Sequence, residues 1–289
     1  MIEAIYSFFA DPNIQWVLFG TMLLGLTGGV LSVFAVLRQQ SLLGDVIAHA
    51  ALPGICLSYL LFGIKSVPLF LGGALVSGLL AGWLIQVIVR HSKLRQDAAL
   101  AIVLSVFFGL GLMLLTYIQQ LPNGNQAGLS RFLFGQAASL IASDVRLIAI
   151  CALVTAVVVI LFFEQWKTLC FDPIFAASIG MPVKMLHFLL TALIVVIVII
   201  GIQIAGVVLV AALLITPAMS ARYWSQSLAS MIWLSALFGC LAGLLGTVTS
   251  VVLGDIPTGP VIILYGAIIF LLSLLLAPGK GLLMGGRRS

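Results

Sequence analysis

The chain of 289 residues is 63% hydrophobic and only 7% charged, with a mean hydropathy of +1.30. Too few polar side chains remain to cover a water-facing surface, so a soluble globular domain is excluded and an integral membrane protein is indicated. The 13 Lys and Arg against 8 Asp and Glu give a net charge of +5, a small excess that in a membrane protein reports orientation and gives no footing for nucleic acid.

A membrane-crossing helix takes about 20 apolar residues. In chain order, apolar runs lie near Ile14 to Leu37, Leu42 to Phe62, Val67 to Val89, Ala98 to Ile118, Val145 to Phe163, Leu186 to Gly201, Ile204 to Met219, Leu228 to Leu253 and Val261 to Ala277. The long runs lack the alternation of a membrane barrel strand and satisfy their backbone groups as helices. Counted this way there are nine crossings. The stretch from Leu186 to Met219 is too long for one ordinary span and is interrupted by Gly201-Ile202-Gln203 and Gly206; as one tilted helix it brings the count to eight. The expected fold class is therefore all-α, a polytopic membrane helical bundle of eight to nine transmembrane helices, with residues 1–289 as a single domain. Met1-Ile2-Glu3 and Asp11-Pro12 ahead of the first run have the wrong polarity for a cleaved signal peptide, so the first helix is expected to be retained. Cys56, Cys151, Cys170 and Cys240 are far apart, show no C-x-x-C spacing and read as small hydrophobes.

With nine spans and an external N-terminus, Arg38, Arg90, Lys93, Arg95, Lys167, Lys184, Arg222, Lys280, Arg287 and Arg288 fall on one side, leaving Lys65, Arg131 and Arg146 on the other. The cation-rich side is then cytoplasmic. The opposite side carries Glu3, Asp11, Asp144 and Asp255 and a neutral loop around Leu121-Pro122-Asn123-Gly124-Asn125. Small residues four apart occur at Gly25/Gly29, Gly78/Gly82 and Gly239/Gly243, where static close packing of helices is favoured over a sliding interface.

An ionisable group inside an apolar run is a candidate site, because its burial in lipid is costly. The run Ser41 to Gly54 contains Asp45 and His49, four apart and so on one helical face. A carboxylate oxygen and an imidazole nitrogen on adjacent turns form half a shell for a divalent cation such as manganese or zinc. The plainer alternative is that the two simply pair with each other near a helix end. Pro53-Gly54 follows one turn later, where it is expected to break or kink the helix and expose backbone carbonyls, as transporter sites do with discontinuous helices. Two donors are too few for a structural zinc site and fit transient holding.

The second feature is the polar-containing stretch Glu164 to Pro182. Asp172 caps a short helix, Pro173 suits its first turn, Ala176-Ala177 continue it and Gly180 ends it before Pro182. Such a surface helix is either a connector or a docking lever. His91, in the basic cluster Arg90 to Arg95, and His187, at a helix start after Lys184, read as interfacial groups. Gln203 and Asp255 to Pro260 are placed on the external side, at a pathway mouth.

Taken in order, Leu37-Arg38, Ser41-Leu42-Leu43-Gly44-Asp45 through His49-Ala50-Ala51-Leu52-Pro53-Gly54, Phe171-Asp172-Pro173 through Ala176 and Gly180, and Leu213 to Ala218 with Ala221-Arg222 resemble the membrane permease subunits of bacterial ABC importers for manganese, zinc and iron. That family is related in layout to siderophore and cobalamin (type II) importer permeases, and the similarity runs over nearly the whole chain. The resemblance implies that Asp45 and His49 contact the metal in a translocation pathway. It implies that Asp172, Pro173, Ala176 and Gly180, within a cytoplasmic segment of about 164–184, couple to an ATPase. Pro217 would bend a pathway helix, with Pro53 and Gly54 as a further helix break, and Arg222 would anchor at headgroups.

The implied partners are a cytoplasmic ATP-binding subunit, a second permease chain (identical or a paralogue), an extracytoplasmic metal-binding protein and lipid, in a bacterial cell membrane. No cofactor is permanently bound; the divalent metal is cargo. Selectivity among manganese, zinc and iron stays open. The chain contains no G-x-x-x-x-G-K-[ST], so ATP hydrolysis is expected in a separate chain, and it lacks H-E-x-x-H and G-x-S-x-G. Protonation would take the lone pair of His49, so acid is expected to weaken uptake. The alternative function is a stand-alone secondary transporter of a divalent cation with Asp45 as relay; an intramembrane enzyme lacks a neighbouring nucleophile.

Overall fold

The computed structural model describes residues 12–64, 66–120, 140–253, 256–278 and 281. Glu3, Asp11, Lys65, the loop at 121–125, Arg131, Asp255, Lys280, Arg287 and Arg288, which entered the charge argument, lie outside the described residues. The elements in order are α1 (Pro12–Leu37), α2 (Leu43–Phe62), α3 (Val67–His91), α4 (Gln96–Gln120), α5 (Ala142–Leu161), α6 (Phe163–Phe171), α7 (Pro173–Ser178), α8 (Val183–Leu213), α9 (Thr216–Trp224), α10 (Leu228–Leu253) and α11 (Thr258–Leu276). Every regular element among the described residues is a helix, as the unbroken apolar runs require.

Eight of these helices are long and apolar enough to cross a membrane. The ambiguous stretch divides at Gly206, whose φ of 79° and ψ of 168° interrupt α8. That backbone region is open essentially to glycine, since a side chain there meets the chain's own carbonyls. Only Val183–Ile202 of α8 counts as a full span, and the remainder runs into a shorter apolar helix, Leu209–Trp224. Gly201 stays helical. The side chain of Gln203 lies outside the described residues.

The chain forms two compact units. One comprises 1–36, 136–163 and 212–289, the other 37–135 and 164–211. In the first, α1 and α10 touch backbone to backbone. A Cβ added to Gly25 would fall on the Gly239 carbonyl, one on Gly29 on the Ser235 carbonyl, and one on Gly243 at 2.7 Å from the Thr21 carbonyl oxygen. Hydroxyls fill the remaining gaps: Thr21 and Thr247 lie 2.8 Å apart, and Ser235 Oγ donates to the Gly29 carbonyl at 2.7 Å. The small residues here serve close packing, with hydrogen bonds in place of bulk.

In the second unit, α2 packs against α3 and α4. Gly78 and Gly82 of α3 seat Val195 and Thr191 of α8, so a Cβ on Gly82 would come within 2.7 Å of the Thr191 methyl. Gly63, at φ 64°, closes α2 by donating its N–H to the Tyr59 carbonyl at 2.9 Å. Both the Asp45–His49 helix and the segment around Asp172 belong to this unit.

Candidate functional site

A short turn leads from α1 into α2. Gln39 takes φ 55°, the only positive value at a non-glycine position among the described residues, and the Leu43 N–H bonds the Gln40 carbonyl at 2.9 Å. α2 therefore starts with Asp45 in its first turn, where the helix dipole favours a carboxylate. One turn on, His49 Nε2 lies 3.5 Å from Asp45 Oδ1. The two side chains are 31% and 39% exposed for His49 and Asp45, whereas Val46, Ile47, Ala48 and Ala50 are buried. The Phe108 ring of α4 meets the imidazole edge-on, with centroids 4.7 Å apart, and limits how the ring can turn.

A separation of 3.5 Å is long for a charge-assisted hydrogen bond, so neither side chain is used up by the other. Both keep donor atoms turned to an accessible face. Among the described residues no group of three or more His, Cys, Asp or Glu comes together. Among the described residues the pair thus presents one carboxylate oxygen and one imidazole nitrogen at this place, donor types that divalent transition metals accept.

Pro53 and Gly54 do not break the helix. α2 continues through them to Phe62, correcting the expectation of a discontinuous helix. The missing Pro53 N–H leaves the His49 carbonyl without its helical donor; on either side of Pro53, Ser77 Oγ of α3 donates to the Ala50 carbonyl at 2.6 Å and Ser58 Oγ to the Gly54 carbonyl at 2.8 Å. Gly54 serves contact with α3, since a Cβ there would fall on the Gly73 carbonyl. Every fourth position after His49, namely Pro53, Leu57 and Leu61, lines an apolar groove of about 540 Å³ together with Val76 and Leu80. Its two hydroxyls, Ser58 and Ser77, are the ones already bonded to carbonyls.

The second candidate segment has the local structure its sequence specifies. Asp172 Oδ1 accepts from the N–H groups of Ile174 at 3.1 Å and Phe175 at 2.9 Å, and Pro173 occupies the first turn of α7. At the other end Met181 N–H bonds the Ala176 carbonyl at 3.1 Å and Gly180 N–H bonds that of Ala177 at 3.2 Å. Gly180 sits at φ 80°. This is a Schellman closure, whose left-handed residue is usually glycine. Ala176 is fully buried, while Ile174 is 82% exposed and Phe171, Phe175 and Ile179 are also exposed. The helix thus displays an apolar edge outward.

The apolar run Leu209–Trp224 is interrupted just before Pro217. The chain turns at residues 214–215 and Pro217 lies in the first turn of α9, buried, where no N–H is demanded of it. It starts α9 directly after that interruption. Arg222 stands in the last turn of α9. His187 has a partner within the protein: its Nε2 meets Arg38 Nη2 at 3.0 Å. Nearby, Trp166 of α6 is fully buried and donates Nε1–H to the Leu186 carbonyl at 3.3 Å. Sequence reading missed both contacts.

Comparison with known proteins matches residues 10–277 to the ABC 3 transport family. The chain is 50% identical over 282 residues to the manganese transport system membrane protein MntC of Bacillus subtilis, covering 98% of this chain and 65% of that protein's length. It is 43% identical to the zinc transport system membrane protein TroC of Treponema pallidum, over 98% and 95% of the two chains. Among solved structures, PsaBC from Streptococcus pneumoniae in complex with Fab superposes with a TM-score of 0.83 at 33% identity, covering 97% of this chain and 98% of that one. A metal-chelate type ABC transporter in an inward-facing conformation shares the fold, with a TM-score of 0.69 at 21% identity over 91% and 84% of the two chains.

Proposed function

This chain belongs to the ABC 3 transport family, and from that premise we propose that it is the membrane permease of an ATP-driven importer carrying a divalent transition metal into the bacterial cytoplasm. Manganese is the first candidate cargo and zinc the next, since relatives alike over nearly all of this chain are named for those two metals; iron follows. The observation that carries the reading is the Asp45–His49 pair, with its donors 3.5 Å apart and partly exposed on a helix otherwise apolar around it.

In this reading the two compact units act as one permease domain, and two permease chains, identical or paralogous, stand side by side around a shared pathway. The carboxylate and imidazole take over part of the ion's hydration shell as it passes, and water or the facing chain's groups supply the rest. A shell with so few protein donors releases its ion readily, which conduction requires. An extracytoplasmic protein delivers the metal, and a separate ATPase chain seats on the segment of about 164–184, where the capped α7 presents Ile174 and Phe175. The N-terminus lies outside and the C-terminus in the cytoplasm.

The test is labelled-manganese uptake into vesicles holding this chain with its ATPase. Asp45→Ala and His49→Ala are each expected to abolish uptake while the protein stays inserted at its normal level; unimpaired uptake by both variants removes the site assignment. Uptake that persists without ATP would favour the gradient-driven alternative.

A further inference from the structure

Arg38 is the cation nearest in sequence to the candidate metal pair, and it points into protein. Its Nη2 is 3.0 Å from His187 Nε2 at the base of α8. A guanidinium only donates, so the imidazole accepts through Nε2. Nη1 is shielded from solvent and has no hydrogen-bond partner. The two ion pairs among the described residues, His49–Asp45 and Lys167–Glu164, do not involve Arg38. Burial lowers its pKa to about 10, and the same burial pushes the adjacent Cys170 thiol of α6 up to about 11, so the thiol supplies no counter-charge at neutral pH.

A partly desolvated guanidinium held by one neutral acceptor is a costly anchor, and an apolar residue would pack more cheaply. Two more polar atoms in this unit are buried without partners: the amide oxygens of Gln40, on the turn after Arg38, and Gln165, on α6. Three elements come together at Arg38. The turn from Arg38 to Leu42 leads directly into the helix that carries Asp45 in its first turn. Cys170 lies two residues before the Asp172 cap of α7. His187 lies in the second turn of α8, next to Leu186, whose carbonyl accepts from Trp166 of α6.

We propose that Arg38 is a positioning residue that, with His187, transmits displacement of the Asp172–Gly180 segment to the helix bearing Asp45 and His49. This rests on the importer reading above. It adds a specific linkage: when α6 and α7 shift under the ATPase, the Arg38–His187 bond drags the turn at 38–42 and so re-aims Asp45.

The experiment measures both ATP hydrolysed and manganese carried by the complex of this chain and its ATPase, reconstituted in vesicles. Arg38→Leu and His187→Leu are expected to assemble, hydrolyse ATP within about twofold of the unmodified complex, and carry about tenfold less metal per ATP, the size of an ordinary coupling energy. His187→Gln keeps an acceptor for the guanidinium and is expected to restore the ratio to within about twofold. If Arg38→Leu does not assemble, the two His187 variants decide. An unchanged ratio in the leucine variants overturns the inference, as does a His187→Gln protein as uncoupled as His187→Leu. An unmodified complex without ATP-driven uptake overturns the importer reading and this inference together, so the two failures are distinct.

Discussion

Gly54 leaves no room for a side chain, and its bare Cα lets α2 lie against the backbone of α3. A Cβ there would overlap the Gly73 carbonyl and come within 2.6 Å of the Ser77 Cβ, and neither is the flexible end of a long side chain. Gly54→Val must push the helices apart, at about 1–3 kcal/mol by analogy with overpacked cores. The expected outcome is a lower thermal midpoint in detergent. Gly72→Val should leave the midpoint unchanged, since nothing lies within 4 Å of a Cβ there; equal loss in both variants would count against this account. The dipeptide Pro53-Gly54 read as a helix break because both residues disfavour helix, and the sequence cannot reveal that Ser77, 27 positions from Ala50, donates to the Ala50 carbonyl or that the backbone of α3 lies against Gly54. Asp45 and His49 were legible because their spacing is local. Arg38 and His187 were not, being 149 residues apart and joined only by the fold.

Among the elements, α7 shows how far local rules reach. Asp172, Pro173 and Gly180 each have a local job, namely capping two N–H groups, starting the helix and closing it at φ 80°, so the ends were readable without any tertiary information. What the local rules could not tell is which face looks outward. Ala176 turns inward and Ile174 turns out, 82% exposed. On the proposed reading Ile174 enters the ATPase, so Ile174→Asp should prevent co-purification of the ATPase in mild detergent while amide exchange over residues 173–178 stays slow. Asp172→Ala should instead speed exchange across those residues, because losing an N-cap costs a helix about 1 kcal/mol. Retention of the ATPase by Ile174→Asp would assign α7 to the connector role. The break in α8 divides differently: glycine at 206 could be noted from sequence, but Gly201 looked equally able to interrupt the run and remains helical.

For the whole molecule the open quantity is sidedness, which follows from the order of crossings. α3 (Val67–His91) is flanked by Ser66 and Ser92 and carries Arg90 and His91 in its last turn, so its two ends belong to opposite faces. If cations gather inside, Ser92 and the α7 residue Ser178 share the cytoplasmic face and Ser66 the external one. The native thiol closest to this chemistry gives little background, since burial raises the Cys170 pKa to about 11; at neutral pH it stays protonated, and the thiolate that reacts with maleimide appears only as pH climbs toward that value. A membrane-impermeant maleimide should therefore label Ser66→Cys in intact cells, and Ser92→Cys and Ser178→Cys only in inside-out vesicles. Labelling of Ser178→Cys from outside would put α7 beyond reach of any cytoplasmic ATPase, and with it the coupling of ATP hydrolysis to Asp45 and His49 through this unit.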